Sequence, residues 1–290
     1  MIYDELKILT GGDRYVTVEF GNELTLDLNF MAQGLAKALV EQKVTGVIET
    51  VPCFASLLVH YDPERIRHGD LARELLRMAG QLGSIENVTL DSRLHYIEAH
   101  YLDPWTKACI DDYSAKITPK EYDPAFVARI NGLKDAEHLA RVHAATEYWV
   151  SAIGFYPGIP AMMALDPRCV VSAPKYNPPR TFTPAGTIGM GGVSNTIYGV
   201  ESPGGYQLFG HTPVPIWDPK RRFKRAFEGG LVLLRAGDRV RFIPVGREEH
   251  GEIARLVAEG RYVHKIEGYQ RFSVKAYKAW VAGLDKTQRP

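Results

Sequence analysis

A chain of 290 residues, 45% apolar and 24% charged, has room for one large or two medium domains and lacks the composition of a disordered or fibrous protein. Lys and Arg number 35 against 34 Asp and Glu, so the overall charge gives no reason to expect nucleic acid or an anionic membrane as a partner. The three cysteines, Cys53, Cys109 and Cys169, are scattered without a C-x-x-C pair, which argues against a disulfide framework and against a bound metal.

The N-terminus carries acids early and has no basic-then-apolar leader, and the uncharged run Tyr148 to Leu165 is broken by Pro157 and Pro160. The expectation is a soluble, cytoplasmic protein. RYVTVEF and LTLDL alternate apolar and polar residues and predict two strands joined at Gly21 and Asn22. Asn29 is placed to cap a helix that ends near Gly46, with Leu35, Ala36, Leu39 and Val40 on one face. VTGVIETVP and SLLVHY predict two further strands, and Pro63 opens a second helix with Leu71, Leu75 and Met78 facing inward. A strand is expected in RLHYIEAHY.

The segment 103–145 is rich in helix starts. Thr118, Pro119 and Glu121 form a T-x-x-E capping box, Asp123 with Pro124 repeats the signal, Gly132 closes one short helix and Asp135 opens the next. From Tyr148 to Val245 short apolar runs punctuated by Gly and Pro (TIGMGGVSNTIYGV, YQLFGHTPVPIW, LVLLRAG, DRVRFIPV) have the spacing of a small barrel or sandwich. The tail from Arg247 reads as amphipathic helix, with Ile253, Leu256, Val257, Phe272, Tyr277 and Trp280 spaced to dock. KRRFKR, Lys220 to Arg225, fits either a solvated loop or an anion contact.

Gly189 to Pro213 is the most glycine- and proline-rich stretch. Gly189, Gly191 and Ser194 break the G-x-G-x-x-G dinucleotide pattern, the chain has no Gly-Lys pair for a P-loop, and GVSNT lacks the last glycine of a nucleophile elbow. The glycines therefore either build tight turns or leave backbone N–H groups open to a small polar molecule. Asn195, Tyr198, Glu201, Gln207 and His211 are interleaved with them, and Lys175 and Arg180 lie upstream as candidate anion partners.

GFYPGIP, PKYNPPRTFTPAGTIGMGG and YGVESPGGYQLFGHTPVPIWDP resemble the signature of the KipI / allophanate hydrolase subunit 1 family, which includes the B component of bacterial 5-oxoprolinase. YLDPWTKACIDDY, the run from Asp123 to Pro160 and the tail GRYVHKIEGYQRFSVKAYKAW are more similar to the first half of the carboxyltransferase region of urea carboxylase. The resemblance implies an α+β architecture: an N-terminal α/β domain over 1–92, a cyclophilin-like β-barrel domain over 93–246 with the helical insert 103–145, and a helical extension over 247–290.

It further implies a subunit of a heteromeric, ATP-consuming assembly acting on a urea-like, amide or lactam acceptor. In that reading Lys175, Glu201 and Asn195 are the catalytic candidates. Arg180, Tyr198, Gln207, His211, Phe155 and the backbone of Gly191, Gly192, Gly204 and Gly205 are the substrate-binding ones. Nothing is bound covalently; biotin on a partner, ATP, or both serve the complex. The implied partners are a second carboxyltransferase half (an allophanate hydrolase subunit 2 or KipA-like chain), a biotin carrier and a biotin carboxylase. GFYPGIPAMMAL departs from the family's aromatic pattern at that loop, which leaves the acceptor open. Two other readings stay in view: a KipI-like inhibitor of a histidine kinase, and a prolyl isomerase suggested by fold alone.

Overall fold

The computed structural model describes residues 2–290. It opens with strands β1 (Ile2–Gly11) and β2 (Tyr15–Gly21), helix α1 (Leu26–Glu41), strands β3 (Val47–Cys53) and β4 (Ser56–Tyr61) and helix α2 (His68–Leu82). Strand β5 (Thr89–Tyr101) leads to helices α3 (Pro104–Lys116), α4 (Asp123–Ile130) and α5 (Ala136–Ala144). Strands β6 (Glu147–Ile153), β7 (Pro160–Ala164), β8 (Thr187–Gly191), β9 (Ser194–Ile197), β10 (Gln207–His211) and β11 (Arg239–Pro244) follow. The chain ends with helix α6 (Arg247–Ala258), strand β12 (Lys265–Ser273) and helix α7 (Val274–Ala282). Two compact units emerge: residues up to Ser92 with Tyr269–Leu284, and Arg93–Gly268 with Asp285–Pro290. Among the described residues no helix is long and apolar enough to cross a membrane.

In the first unit four antiparallel strands run in the order β1-β2-β4-β3. Alternation puts Val16, Val18 and Phe20 of β2 and Leu57, Val59 and Tyr61 of β4 inward, where Leu28, Leu35 and Leu39 of α1 and Leu71, Leu75 and Met78 of α2 cover them. Each such fully buried leucine contributes roughly 1.5–3 kcal/mol of transfer free energy. Phe272 and Tyr277 of the tail pack against Phe30, with ring centroids 5.5 and 5.7 Å away.

Several local expectations are corrected here. Thr25, not Asn29, caps α1, its hydroxyl accepting from the Leu28 amide at 3.3 Å. Asn29 lies one turn inside, donating to the Phe54 carbonyl and accepting from Gln33. The helix ends at Glu41, and Val40 is 67% exposed rather than on the buried face. Pro63 belongs to a turn closed by Asp62, whose carboxylate accepts from the Glu64 amide, so α2 starts only at His68.

The second unit is built on a mixed sheet in the order β10-β8-β9-β7-β6-β11-β5-β12. β10 also pairs with β5 through Gly210–Tyr101 and His211–His100, so seven strands nearly close a ring. β11 runs parallel to β5 and antiparallel to β6. Met162, Met190, Ile188, Ile197, Phe209 and Phe242 fill the interior with Tyr148.

The capping box at Thr118 is not used: the stretch is held as a turn by Ser114, whose hydroxyl accepts from the Lys120 amide at 2.9 Å. The preceding helix α3 has instead the stronger start, Asp103 accepting from the Trp105 and Thr106 amides with Pro104 at its first turn. Asp123 and Asp135 do open α4 and α5, and Gly132, at φ 67°, follows α4. LVLLRAG forms no named strand, touching the sheet pattern only at the Trp217–Val232 bridge. The tail is helix, strand, helix, with β12 interrupting the helical pattern.

Candidate functional site

Arg180 is the organising residue of the glycine-rich region. It is only 2% exposed, yet forms no ion pair among the described residues. Its Nη1 donates to the Tyr206 carbonyl at 2.6 Å, Nε and Nη2 donate to the Thr183 hydroxyl at 3.2 Å, and Nη2 reaches the Tyr198 hydroxyl at 3.4 Å. The guanidinium also lies over the Tyr176 ring, 4.3 Å from its centroid. A buried cation is tolerable only with its donors satisfied, and the glycines make this possible. A Cβ on Gly204 would stand 2.4 Å from the Tyr198 hydroxyl, and one on Gly191 would stand 2.6 Å from the Tyr206 ring. The amides of Gly192 and Gly204 donate to the Ala173 and Arg180 carbonyls. Two of the four glycine amides expected to face a ligand are therefore occupied within the chain.

Tyr176, beneath Arg180, is part of the wall of a cavity of about 320 Å³ lined also by Lys120, Lys175, Arg129, Glu121 and Gln207 among others. Three cations and one carboxylate give it a positive lining. Lys120 Nζ donates to Gln207 Oε1 at 2.8 Å, pairs with Asp123 and sits 3.5 Å above the Tyr176 ring. Asp123, fully buried, accepts from the Leu208 amide at 2.7 Å and from the Tyr176 hydroxyl. Burial lowers the Lys120 pKa, opposed by Asp123; burial likewise raises that of Asp123, opposed by Lys120 and its hydrogen bonds. Lys175 is exposed and forms no ion pair among the described residues, its ammonium lying 5.3 Å from the Tyr206 ring.

A second cavity, of about 500 Å³, is lined by Trp105, Tyr198, His211, Arg222, His250 and a set of apolar side chains from β9, the 212–217 segment and α6. His211 Nδ1 lies 2.9 Å from His250 Nε2, and His211 Nε2 lies 3.0 Å from the Ala185 carbonyl. Trp105 stacks on His250 with centroids 4.5 Å apart. Burial pushes the His250 pKa down to about 4, helped by His211 and His100, and lowers that of His211.

The expected site residues are thus divided. Lys175 and Gln207 share the positive cavity; Tyr198 and His211 line the histidine cavity; Arg180 touches a wall residue of each. Asn195 is buried on β9 next to His143, away from both. Glu201 is exposed in a turn and lines neither. Phe155 is 78% exposed at φ 69° and also lines neither cavity. Lys120, Asp123 and Tyr176 escaped the sequence reading; the only signal was Lys-x-x-Asp-Pro before α4, which reads as capping chemistry. Arg222 of the basic run lines the histidine cavity, its Nη1 donating to the Val257 carbonyl at 3.1 Å. Among the described residues no three His, Cys, Asp or Glu side chains are grouped to hold a metal.

Comparison with known proteins matches residues 6–227 to the family described as carboxyltransferase domain, subdomain C and D. The urea amidolyase of Lachancea kluyveri is 31% identical over 278 residues, which cover 93% of this chain and 15% of that protein. The B component of the 5-oxoprolinase of Bacillus subtilis is 29% identical over 82% of this chain and 92% of its own length. The crystal structure of the K. lactis urea amidolyase superposes with a TM-score of 0.84 at 28% identity, over 96% of this chain and 17% of that one. The chain therefore spans about a sixth of the urea amidolyases it matches.

Proposed function

The chain belongs to the carboxyltransferase family of subdomains C and D, and from that premise we propose that it is one half of a carboxyltransferase-type enzyme acting on a urea-like, amide or lactam acceptor. One observation carries the reading: 96% of the chain aligns with the urea amidolyase structure, a coverage that cannot be reached without the tail beyond Val245. In this reading the nearly closed ring of the second unit is a cyclophilin-like barrel, and the remaining functions reside outside these 290 residues: a second carboxyltransferase half, a biotin carrier and a biotin carboxylase.

A biotin on a partner supplies, when carboxylated, an activated carboxyl group. The groups to be accommodated are anionic, a carboxylate or in the ATP-dependent lactam variant a phosphoryl group, and the positive cavity fits them. Lys175, exposed at its rim, binds the anion as a mobile point charge. Lys120 is fixed by Asp123 and Gln207 and adds a second, preorganised charge. Arg180 is buried and acts by holding the Tyr176 wall and the backbone at Tyr206 in place. Glu201 and Asn195 lie outside this cavity and are given no step.

A second reading is favoured by coverage: the match spans 92% of the B component of the B. subtilis 5-oxoprolinase, against 15% of the urea amidolyase. Co-purification from the native cell followed by assay of the assembly separates the two. ATP-dependent incorporation of labelled bicarbonate into an amide supports the carboxyltransferase. ATP-dependent opening of 5-oxoproline without incorporation selects the second reading. Turnover of urea, 5-oxoproline or allophanate by this chain alone overturns both.

A further inference from the structure

The 500 Å³ histidine cavity is not used by the reaction just described, and its chemistry is unlike that of the positive cavity. Its walls are hydrocarbon: Ile197, Val214, Ile216 and Val257 are among its lining residues. Arg222, the one fixed charge among the described lining residues, is already engaged, bonded to the Val257 carbonyl and 3.7 Å from the Asp218 carboxylate. A charged ligand would lose its hydration there without a free counter-charge.

The polar groups that remain have assigned roles. A carbonyl only accepts, so the proton of His211 is on Nε2, donated to Ala185. Neutral His211 then has its lone pair on Nδ1, which accepts from His250 Nε2. That leaves a lone pair on His250 Nδ1, the one polar atom of that ring outside the relay. The neutral state of both rings agrees with their lowered pKa values. Trp105, stacked on His250, brings an indole N–H, a donor only, to the same wall. An acceptor and a donor are thus carried by two stacked rings that both line the apolar chamber.

We propose that this cavity is a second small-molecule site, which binds a compact, uncharged, hydrocarbon-bodied amide or lactam, its N–H donated to His250 Nδ1 and its carbonyl accepting from the Trp105 indole. Urea is too small and too polar to use the apolar walls. A carboxylate would have to compete with Asp218 for Arg222, the one cation among the described lining residues. The volume is within the range of small-ligand pockets, roughly 300–1,000 Å³.

The test uses the full chain and three probes of similar size: ε-caprolactam, cyclohexanone, which keeps the carbonyl but has no N–H, and cyclohexanecarboxylate. Binding is followed by calorimetry and by quenching of tryptophan fluorescence. A ligand this small binds with a Kd on the order of 1 mM. Caprolactam is expected to bind at least tenfold more tightly than either other probe. His250→Leu should weaken caprolactam about tenfold and leave cyclohexanone unchanged, a pattern that loss of fold cannot produce. Ala254→Phe, which fills the chamber from the half-exposed side of α6, should abolish binding of both. No saturable caprolactam binding, equal or tighter binding of the carboxylate, or caprolactam binding indifferent to both substitutions would overturn the proposal. The measurement needs no partner or turnover, so its outcome is independent of the carboxyltransferase reading.

Discussion

Removing Asp123 probes the physical basis of the positive cavity. Its side chain is fully buried and serves three donors at once: the Lys120 ammonium, the Tyr176 hydroxyl and the Leu208 amide. Asp123→Ala leaves a 17% exposed ammonium without its counter-charge and orphans a backbone N–H at the start of β10. Breaking a buried pair from one side costs about 3–5 kcal/mol. Lys120 keeps Gln207 and the Tyr176 ring, which places the loss near the lower end, about 3 kcal/mol. Asp123→Asn retains an acceptor for Leu208 and should lose about 2 kcal/mol. Adding Lys120→Met to Asp123→Asn should return at least about 1 kcal/mol, because the unpaired charge is then gone. Urea denaturation followed by tryptophan fluorescence reads these values at constant m, and Trp105, Trp149 and Trp217 all report on the second unit. A loss below about 1 kcal/mol for Asp123→Ala, or a double variant no better than Asp123→Asn, would refute the network as a stabilised charge cluster.

Further outcomes are expected. Lys175→Ala, at an exposed site, should leave the melting temperature unchanged but lower kcat/KM of the assembled enzyme at least tenfold, with Lys175→Arg partly restoring it, whereas Glu201→Ala should stay within twofold. Burial among Tyr101, Tyr148, Phe209 and Phe242 drives the His143 pKa down to about 3. The unfolded chain binds that proton near pH 6.5 and the folded one does not. Stability should therefore be complete above about pH 6.5 and fall towards pH 3, by about 1.4 kcal/mol per pH unit for this one group. His143→Phe should make the measured slope shallower by one proton. Gly186→Ala should destabilise by about 2 kcal/mol or more, since φ is +84° and the new Cβ would stand 2.3 Å from the Thr212 carbonyl. Gly251→Ala, inside α6 with nothing within 4 Å, should stabilise by about 0.5–1 kcal/mol.

What could be seen in the sequence was whatever depends on near neighbours. The inward faces of β2 and β4, the Leu71, Leu75 and Met78 stripe and the starts of α4 and α5 follow from periodicity and capping alone. A local signal also misled: Thr118 has a capping box, yet Ser114 holds that stretch outside any helix and the next helix opens at Asp123. Long-range pairing was not legible. β12 pairs with β5 across most of the second unit, and no local pattern in its sequence announces a strand. The site shows the same division. Lys175, Gln207 and His211 stood out as polar groups amid glycine, but Lys120 and Asp123, far away in sequence, complete the positive cavity. His250 meets His211 from α6, where it reads as one more polar residue of an amphipathic helix. At Gly191 and Gly204 the missing Cβ atoms make room for Tyr206 and Tyr198.

Whether this chain is one half of an amide-acting carboxyltransferase is tested by reconstituting it with the proposed second half, biotin carrier and biotin carboxylase. The measurement is ATP-dependent transfer of labelled bicarbonate to an amide nitrogen. Transfer is expected to require this chain and to fall at least tenfold with Lys175→Ala. Transfer that proceeds without this chain, or its absence from a complete and folded assembly offered urea, amide and lactam acceptors, would contradict it.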